Sequence, residues 1–459
     1  MNKTAITLTI FCISSLIIIL FILLKPTIKI KFKKNEFSFS TYFIGAVLGT
    51  VSLLAFTLIN FDDVINGLKG KNQLKPLGIL ILFFSMVFIS IYLDTTGFFE
   101  FCARYALQKS GGSGTKLFIV IYITVSILTL FTSNDIVILT FTPFIYYFTI
   151  EVDIDPIPYL ISEFYAANTW SMSLLIGNPT NILLGTAFSI SFFQYFKWMI
   201  FPTIFAGIAN FFLLYFVFKK KISFSILRPS QQEIKPLEAI KTKKGAILGL
   251  LFLLITVILL AISPTFKVEM WIVSAVLAGF LLLILIIKDL YLKFASSTPK
   301  ESKTFSLPEI ARRLPWLVIP FVLCLFITVE GLRKYGIPSS IGGFFSRIAN
   351  NDPKLIFLYG YSSSISANIL NNIPMSVAFS GILEGHDQLS SVFSTIIGSN
   401  LGANLSPIGA LAGIMWMSIL RQKNVPLTFW KFTLYGLLMT PVTILICLSV
   451  LAIEFLIIN

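Results

Sequence analysis

Short polar segments interrupt long apolar stretches of this sequence, and they occur in pairs. The first pair is Ser133-Asn134-Asp135 and Asn371-Asn372-Ile373-Pro374, and the second is Gly177-Asn178-Pro179-Thr180-Asn181 and Asn404-Leu405-Ser406-Pro407. Polar, helix-breaking backbone is tolerated at membrane depth only where it is buried in protein or lines a cavity. One such pair of segments in each half of a chain is typical of a secondary transporter whose site lies near the middle of the membrane.

The composition requires a lipid environment. The 459 residues are 56% hydrophobic and only 12% charged, and each run of about 20 apolar residues is long enough for one span. We therefore predict an all-α polytopic membrane protein. The net charge of +14 comes from lysines that cluster beside the ends of apolar spans, a pattern that indicates membrane topology rather than nucleic-acid binding. Residues 109–116 lack the Gly-Lys-Ser/Thr core of a phosphate-binding loop, which argues against an ATP-driven pump.

The first half, residues 1–218, is predicted to form one membrane repeat. Residues 116–149 are apolar around their Ser-Asn-Asp centre, and each arm is short for a full crossing. We interpret them as a re-entrant hairpin, with two ordinary spans joined by a polar turn as the alternative. The elements predicted around this hairpin are spans at 5–24, 41–60 and 76–95, an amphipathic stretch at 97–110, a broken helix at 160–190 and a span at 197–218.

The second half, residues 245–459, repeats this order after a basic linker at 219–244. The predicted elements are spans at 245–263, 268–288 and 314–331, an amphipathic stretch at 332–350, a hairpin at 354–384, a broken helix at 389–420 and a span at 431–456. Each half then crosses the membrane five times, so the halves form inverted repeats.

The lysines and arginines predict the orientation of the chain. Most of the 35 fall on one side of the predicted membrane, together with the linker. Because positive charge is enriched in cytoplasmic loops, the linker is predicted to be cytoplasmic and both termini to lie outside a plasma or inner membrane. No small-residue cleavage pattern follows residues 1–24, so we expect an uncleaved first helix rather than a signal peptide.

The hairpin tips and helix breaks carry the candidate site. Amides at helix N-termini attract anions, and carbonyl groups at C-termini attract cations. Neutral Asn, Ser and Thr oxygens suit a hard cation, although the same residues could merely cap their own helices. The predicted substrate- or ion-binding residues of the first half are Ser133, Asn134, Asp135, Gly177, Asn178, Pro179, Thr180 and Asn181, and those of the second half are Asn371, Asn372, Pro374, Asn404, Ser406 and Pro407.

Asp135 stands apart from the neutral residues. It is the carboxylate predicted closest to mid-membrane, whereas Asp94, Glu163, Glu330 and Glu384 are placed nearer span ends. Ionisable residues inside membranes are costly and usually functional. A carboxylate there can hold a cation or a proton. Asp135 could instead cap the second arm of the hairpin, and this role is compatible with ion coupling. The predicted sodium site comprises Ser133, Asn134, Asp135, Asn178 and Asn181.

At these residues the chain resembles the ArsB/NhaD group of arsenite permeases and sodium/proton antiporters, in the ion-transporter superfamily that also contains carboxylate–sodium symporters. The matching elements are Ser-Asn-Asp with Thr142-Pro143, Gly-Asn-Pro-Thr-Asn, Asn-Asn-Ile-Pro, and residues 402–409 with Trp416 beyond. The chain departs from the pattern of the carboxylate–sodium symporters, which look like Ser-Asn-Thr at both hairpin tips. The resemblance implies a homodimeric scaffold and an elevator-type movement of the hairpins and broken helices.

The function predicted from these features is secondary active transport of a small inorganic ion or oxyanion. Sodium or protons are predicted as the coupling ion, and no other cofactor is expected. A sodium-coupled carboxylate symporter, for citrate or a dicarboxylate, is the alternative within the class, and an ion channel is the alternative from another class. No paired acids, activated nucleophile or metal cluster supports an enzyme. The expected partners are membrane lipid, the small solute and a second copy of the chain, but no nucleic acid.

Overall fold

A computed structural model describes residues 2–25, 27–32, 35–70, 75–223, 235–294, 306–349, 351–386 and 388–458. Most of them form helices, which confirms the all-α prediction. The helices of the first half are α1 (Lys3–Leu24), α2 (Tyr42–Ala55), α3 (Phe61–Lys69), α4 (Pro76–Thr95), α5 (Phe98–Ser110), α6 (Gly114–Phe131), α7 (Asn134–Glu151), α8 (Ile157–Trp170), α9 (Pro179–Ala187) and α10 (Phe192–Ile222).

The second half also contributes ten helices to the described part of the chain. Its helices are α11 (Lys243–Ile262), α12 (Met270–Phe294), α13 (Ser306–Arg313), α14 (Val318–Lys334), α15 (Ile337–Ile348), α16 (Asp352–Leu370), α17 (Asn372–Ile382), α18 (Leu389–Gly402), α19 (Leu411–Gln422) and α20 (Phe429–Ile458). The inverted relation of the halves stays a prediction. The central part of the predicted linker, residues 224–234, lies outside the described residues.

One short antiparallel hairpin departs from the all-α prediction. Strands β1 (Thr27–Phe32) and β2 (Asn35–Ser40) pair in register from Thr27 opposite Ser40 to Phe32 opposite Asn35. The sequence Thr-Ile-Lys-Ile-Lys-Phe alternates apolar and polar residues, which is the period of a strand. The sequence prediction took the lysines of this segment only as a charge cluster at the end of a span, and the strand was not predicted.

Eight helical segments of the described chain are long and apolar enough to cross a membrane. The predicted span 41–60 is not one of them, because α2 ends at Ala55 and the chain turns through Thr57, which has a positive φ. Asn60 then caps α3 in a capping box with Asp63.

Helix α6 reaches the length of a span, so the re-entrant path of the first hairpin stays a prediction. In the second hairpin, α17 has 11 residues and extends roughly 16 Å, too little for a crossing.

The helices pack in two groups that meet along the hairpins. In one group α2 packs between α1 and α14, and α4 packs against α11 and α12. In the other group α6 and α10 pack against α8, while α16 and α20 pack against α18. The hairpin arm α7 contacts α19, and the hairpin arm α17 contacts α9. Each hairpin therefore rests on the broken helix of the other half.

The closest helix contact in the second group depends on small residues. A Cβ atom on Gly398 of α18 would lie 2.0 Å from Ser363 Oγ and 2.2 Å from the Gly360 carbonyl oxygen of α16. One turn later, a Cβ on Gly402 would lie 2.9 Å from the Cα of Ser364. Small residues of this kind allow membrane helices to approach closely. The contact fixes the position of α18, whose last turn carries part of the site.

Candidate functional site

The two broken helices have the same geometry in both halves. Helix α8 ends at Trp170 and α9 begins at Pro179, while α18 ends at Gly402 and α19 begins at Leu411. Each break closes with a 3-10 turn, Leu175–Gly177 or Pro407–Gly409, directly before the residue that precedes the second helix. Gly177 is therefore the counterpart of Gly409. Asn404–Pro407 lies earlier within its break than Gly177–Asn181 does.

Glycine is required where the first break closes. A Cβ on Gly177 would lie 2.2 Å from the carbonyl oxygen of Ser171, so no larger residue fits without displacing backbone. The next residue, Asn178, caps α9 by accepting a hydrogen bond from the Thr180 amide at 3.2 Å and one from the Thr180 hydroxyl at 3.1 Å. Pro179 follows at the first position of the helix, where its missing N–H costs nothing.

Asn400 of the second half completes the break of the first half. Its Oδ1 accepts a hydrogen bond from Asn178 Nδ2 at 2.9 Å and lies 3.1 Å from Ser171 Oγ. Its Nδ2 donates to Asn181 Oδ1 at 2.7 Å and to the Ile396 carbonyl at 2.9 Å. Asn181 Nδ2 in turn donates to the Ser171 and Leu174 carbonyl groups. Because these side chains are fully or almost fully buried, the cluster joins the two halves inside the protein.

Asn168 makes the reciprocal connection from the first half. Its Oδ1 accepts from Asn134 Nδ2 at 2.9 Å, and its Nδ2 donates to Asn404 Oδ1 at 3.2 Å. Asn404 also donates to Thr169 Oγ1 at 3.3 Å, and its carbonyl oxygen accepts from the hydroxyl of Tyr165 at 2.9 Å. The tip of the first hairpin is thus linked through α8 to the break of the second half.

The side chains at the second tip make their hydrogen bonds within their own half. Asn371 has a φ of 74°, and its Nδ2 donates to the Ile408 carbonyl at 2.8 Å. Ser406 donates to Asn368 Oδ1 at 2.6 Å, and Asn368 Nδ2 reaches the Gly402 carbonyl at 2.8 Å. Asn372 and Pro374 are buried in the first turn of α17, and Pro407 opens the 3-10 turn. Asn404, from the same break, instead makes its side-chain hydrogen bonds to α8 of the first half.

Three buried oxygen atoms at the two tips have no hydrogen-bond partner among the described residues. They are Ser133 Oγ and Asn134 Oδ1 at the first tip and Asn372 Oδ1 at the second. Buried polar atoms in folded proteins are nearly always paired, so each exception requires an explanation. Oxygen atoms of hydroxyl and amide groups are ligands for a hard cation or acceptors for a protonated solute.

Asp135 does not join the amide network. It is half-buried in the first turn of α7, and no hydrogen bond from another described residue reaches its carboxylate. The N-terminus of a helix favours a negative charge in its first turn. Of the predicted sodium ligands, Ser133, Asn134 and Asp135 are adjacent in the chain, whereas Asn178 and Asn181 are engaged by Asn400.

Two central residues of the network were missed from the sequence. Asn168 and Asn400 lie in the last turns of apolar helices, ahead of the polar segments that were predicted to form the site. A signal was present, since Asn168 precedes Gly177 by the same nine residues that separate Asn400 from Gly409. An exact repeat of spacing around two glycines would have placed both asparagines in the site.

Residues 37–392 match the model of the CitMHS family, which is described as a citrate transporter. The chain belongs to this family. The arsenical pump membrane protein of Escherichia coli strain K12 is 24% identical over 385 residues, covering 81% of this chain and 85% of that protein. The resemblance to arsenite permeases predicted from the hairpin tips and helix breaks is thereby confirmed.

Two solved structures share the fold of this CitMHS member. The YdaH transporter of Alcanivorax borkumensis superposes with a TM-score of 0.58 at 10% identity, covering 99% of this chain and 98% of that one. MtrF of Neisseria gonorrhoeae, from a class of antimetabolite efflux pumps, superposes with a TM-score of 0.53 at 11% identity, covering 99% and 95%. Family and relatives together identify a multi-pass membrane protein that is a secondary transporter rather than an enzyme.

Proposed function

We propose that this CitMHS member transports a small inorganic ion or oxyanion, driven by a proton or sodium gradient through an elevator-type movement of the hairpins and broken helices. The observation that carries the proposal is the neutrality of the network at the breaks and tips. Its described members contribute amides and hydroxyls, and no lysine, arginine or histidine is bonded to them. A site of this kind suits an uncharged or weakly charged solute, such as protonated arsenite.

Sodium-coupled carboxylate transport is the second candidate, and the family description supports it. A citrate carries several negative charges, and burying them is costly without cations to pair with them. Sodium ions bound at Ser133, Asn134 and Asp135 would have to supply that charge. The relatives named arsenical pump membrane proteins favour the inorganic solute. An ion channel receives no support from the family or the relatives.

Reconstitution in liposomes tests the proposal. Uptake of radiolabelled arsenite, antimonite and citrate is measured in vesicles with an imposed pH gradient, an imposed sodium gradient or neither. We expect one of the two gradients to accelerate arsenite or antimonite flux at least tenfold over protein-free vesicles, with citrate flux unchanged. Citrate uptake that depends on sodium, without arsenite or antimonite flux, would select the second candidate. Equal conductive flux without a gradient would select a channel.

The proposed topology places the 219–244 linker in the cytoplasm, both termini outside and the scaffold in a homodimer. A single cysteine at Ser230 should resist a membrane-impermeant thiol reagent in intact cells and react after permeabilisation, because positively charged loops stay inside. A cysteine at Thr4, near the N-terminus, is the matched control and should react in intact cells. Labelling of the Ser230 variant without permeabilisation would reverse the orientation.

A further inference from the structure

Glu163 is a fully buried carboxyl group that the network of amides does not use. It lies in the middle of α8, with none of its side chain exposed. The sequence prediction placed it nearer the end of a span because the broken helix was expected to begin at residue 160, whereas α8 begins at Ile157. Burying an ionised carboxylate in an apolar interior is very costly unless a cation or several donors compensate for the charge.

The hydrogen bonds around Glu163 do not supply that compensation. The Oγ1 atom of Thr142, in α7, lies 2.9 Å from Oε1 and 3.1 Å from Oε2 of Glu163. The same Oγ1 lies 2.6 Å from the Ile138 carbonyl oxygen. A threonine hydroxyl has one hydrogen to donate, and the carbonyl oxygen is the nearer acceptor. An ionised Glu163 would therefore compete with Ile138 for a single proton.

A proton on Glu163 removes the competition for the hydrogen of Thr142. The carboxylic acid donates to Thr142 Oγ1, and the Thr142 hydroxyl donates to the Ile138 carbonyl. The indole N–H of Trp416 is buried beside the same carboxyl and has no hydrogen-bond partner of good geometry among the described residues. That N–H is a donor within reach of the anion that forms when the proton leaves, and it comes from α19 of the other half.

The charged groups of the surrounding helices do not neutralise Glu163. Within the described chain no lysine, arginine or histidine nitrogen lies within 4 Å of its carboxylate, and α18 contributes no titratable residue. The ring of Phe164 packs on Trp416 with centroids 4.9 Å apart, which keeps the surroundings apolar. The titratable residues on the other helices around α8 are Lys116 and Tyr122 on α6, Asp135, Tyr146, Tyr147 and Glu151 on α7, Tyr195, Lys197, Tyr215 and Lys219–Lys221 on α10, Arg421 on α19, and Lys431, Tyr435, Cys447 and Glu454 on α20.

We propose that Glu163 is a reversible proton-binding site at the contact between the first hairpin and the broken helices of both halves. Its two neighbours lie on α7 and α19, which both contribute to its enclosure on α8, so release of the proton depends on how closely these three helices pack during transport. The role in coupling rests on the proposed transport function, whereas proton binding itself does not.

Infrared difference spectroscopy of the purified full-length protein tests proton binding without any substrate. Wild-type protein should show the C=O band of a buried protonated carboxyl near neutral pH, and the band should disappear as the pH is raised. Glu163→Gln should remove the band, and Thr142→Val should shift it because the acceptor of the acid is lost. Glu151→Gln, at the exposed end of α7, is the control and should leave it unchanged. A spectrum that Glu163→Gln leaves unchanged, or a Glu163-dependent band that no pH abolishes, would overturn the proposal.

Flux measurements test the role in coupling. Glu163→Gln has nearly the shape of the neutral acid, so the variant should fold, and we expect it to lose at least tenfold in arsenite flux driven by a pH gradient. Pumping of wild-type size in this variant would refute the role in coupling. Absence of gradient-driven flux of both arsenite and antimonite in the wild type would refute the proposed function instead, and the infrared titration would still decide whether Glu163 binds a proton.

Discussion

Replacing Asp135 with asparagine is expected to abolish arsenite flux driven by a pH or sodium gradient while leaving the protein folded. The carboxylate lies in the first turn of α7, half-buried and without a hydrogen bond from another described residue. Asparagine has nearly the shape of aspartate, so the variant loses only the charge and the proton-binding oxygen. We expect a decrease of at least tenfold in gradient-driven flux, measured in liposomes.

The control for this variant is another aspartate in the first turn of a helix. Asp62 occupies that position in α3, where it is exposed and away from the hairpin tips. Asp62→Asn should change the flux less than twofold. Gradient-driven flux of wild-type size in Asp135→Asn would show that its charge is not needed for coupling and that the coupling ion binds elsewhere.

Replacing Gly398 with alanine should prevent the second half from folding. The added methyl group would stand 2.2 Å from the Gly360 carbonyl oxygen, which is backbone and cannot rotate away. Helices α16 and α18 would have to separate, and the separation would carry Asn400 away from Asn178 and Asn181. We expect loss of monodisperse protein in size-exclusion chromatography, or a decrease in Tm of more than 10 °C in any protein recovered.

Gly279→Ala provides the matched control. Gly279 also lies inside a helix, α12, and a Cβ there meets no atom within 4 Å. Alanine is a better helix former than glycine by about 1 kcal/mol, so this variant should be as stable as the wild type or slightly more stable. If Gly398→Ala had the same Tm as Gly279→Ala, the close packing of α16 on α18 would not be what positions Asn400.

The sequence predicted those parts of the fold whose signal is local. Apolar runs located the spans, and the polar interruptions at Asn134, Asn178 and Asn372 located the start of α7, the cap of α9 and the start of α17. The hydrogen bonds of Asn168 and Asn400 could not be predicted, because an asparagine in an apolar helix does not reveal which distant residue it contacts. Glu163 was missed for a related reason. Its burial depends on α7 and α19 closing over α8, and that packing is set by residues far away in the chain.

The crossed contacts of the two halves have a consequence for the order in which the protein is made. Asn178 and Asn181 obtain their partner from Asn400, 222 and 219 positions later in the chain. Asn168 gains a further bond from Asn404, 236 positions later. A ribosome that has completed the first half has therefore produced a repeat whose broken helix still has unpaired amides. These groups obtain their partners only when α18 is made, so the candidate site is among the last parts of the molecule to form.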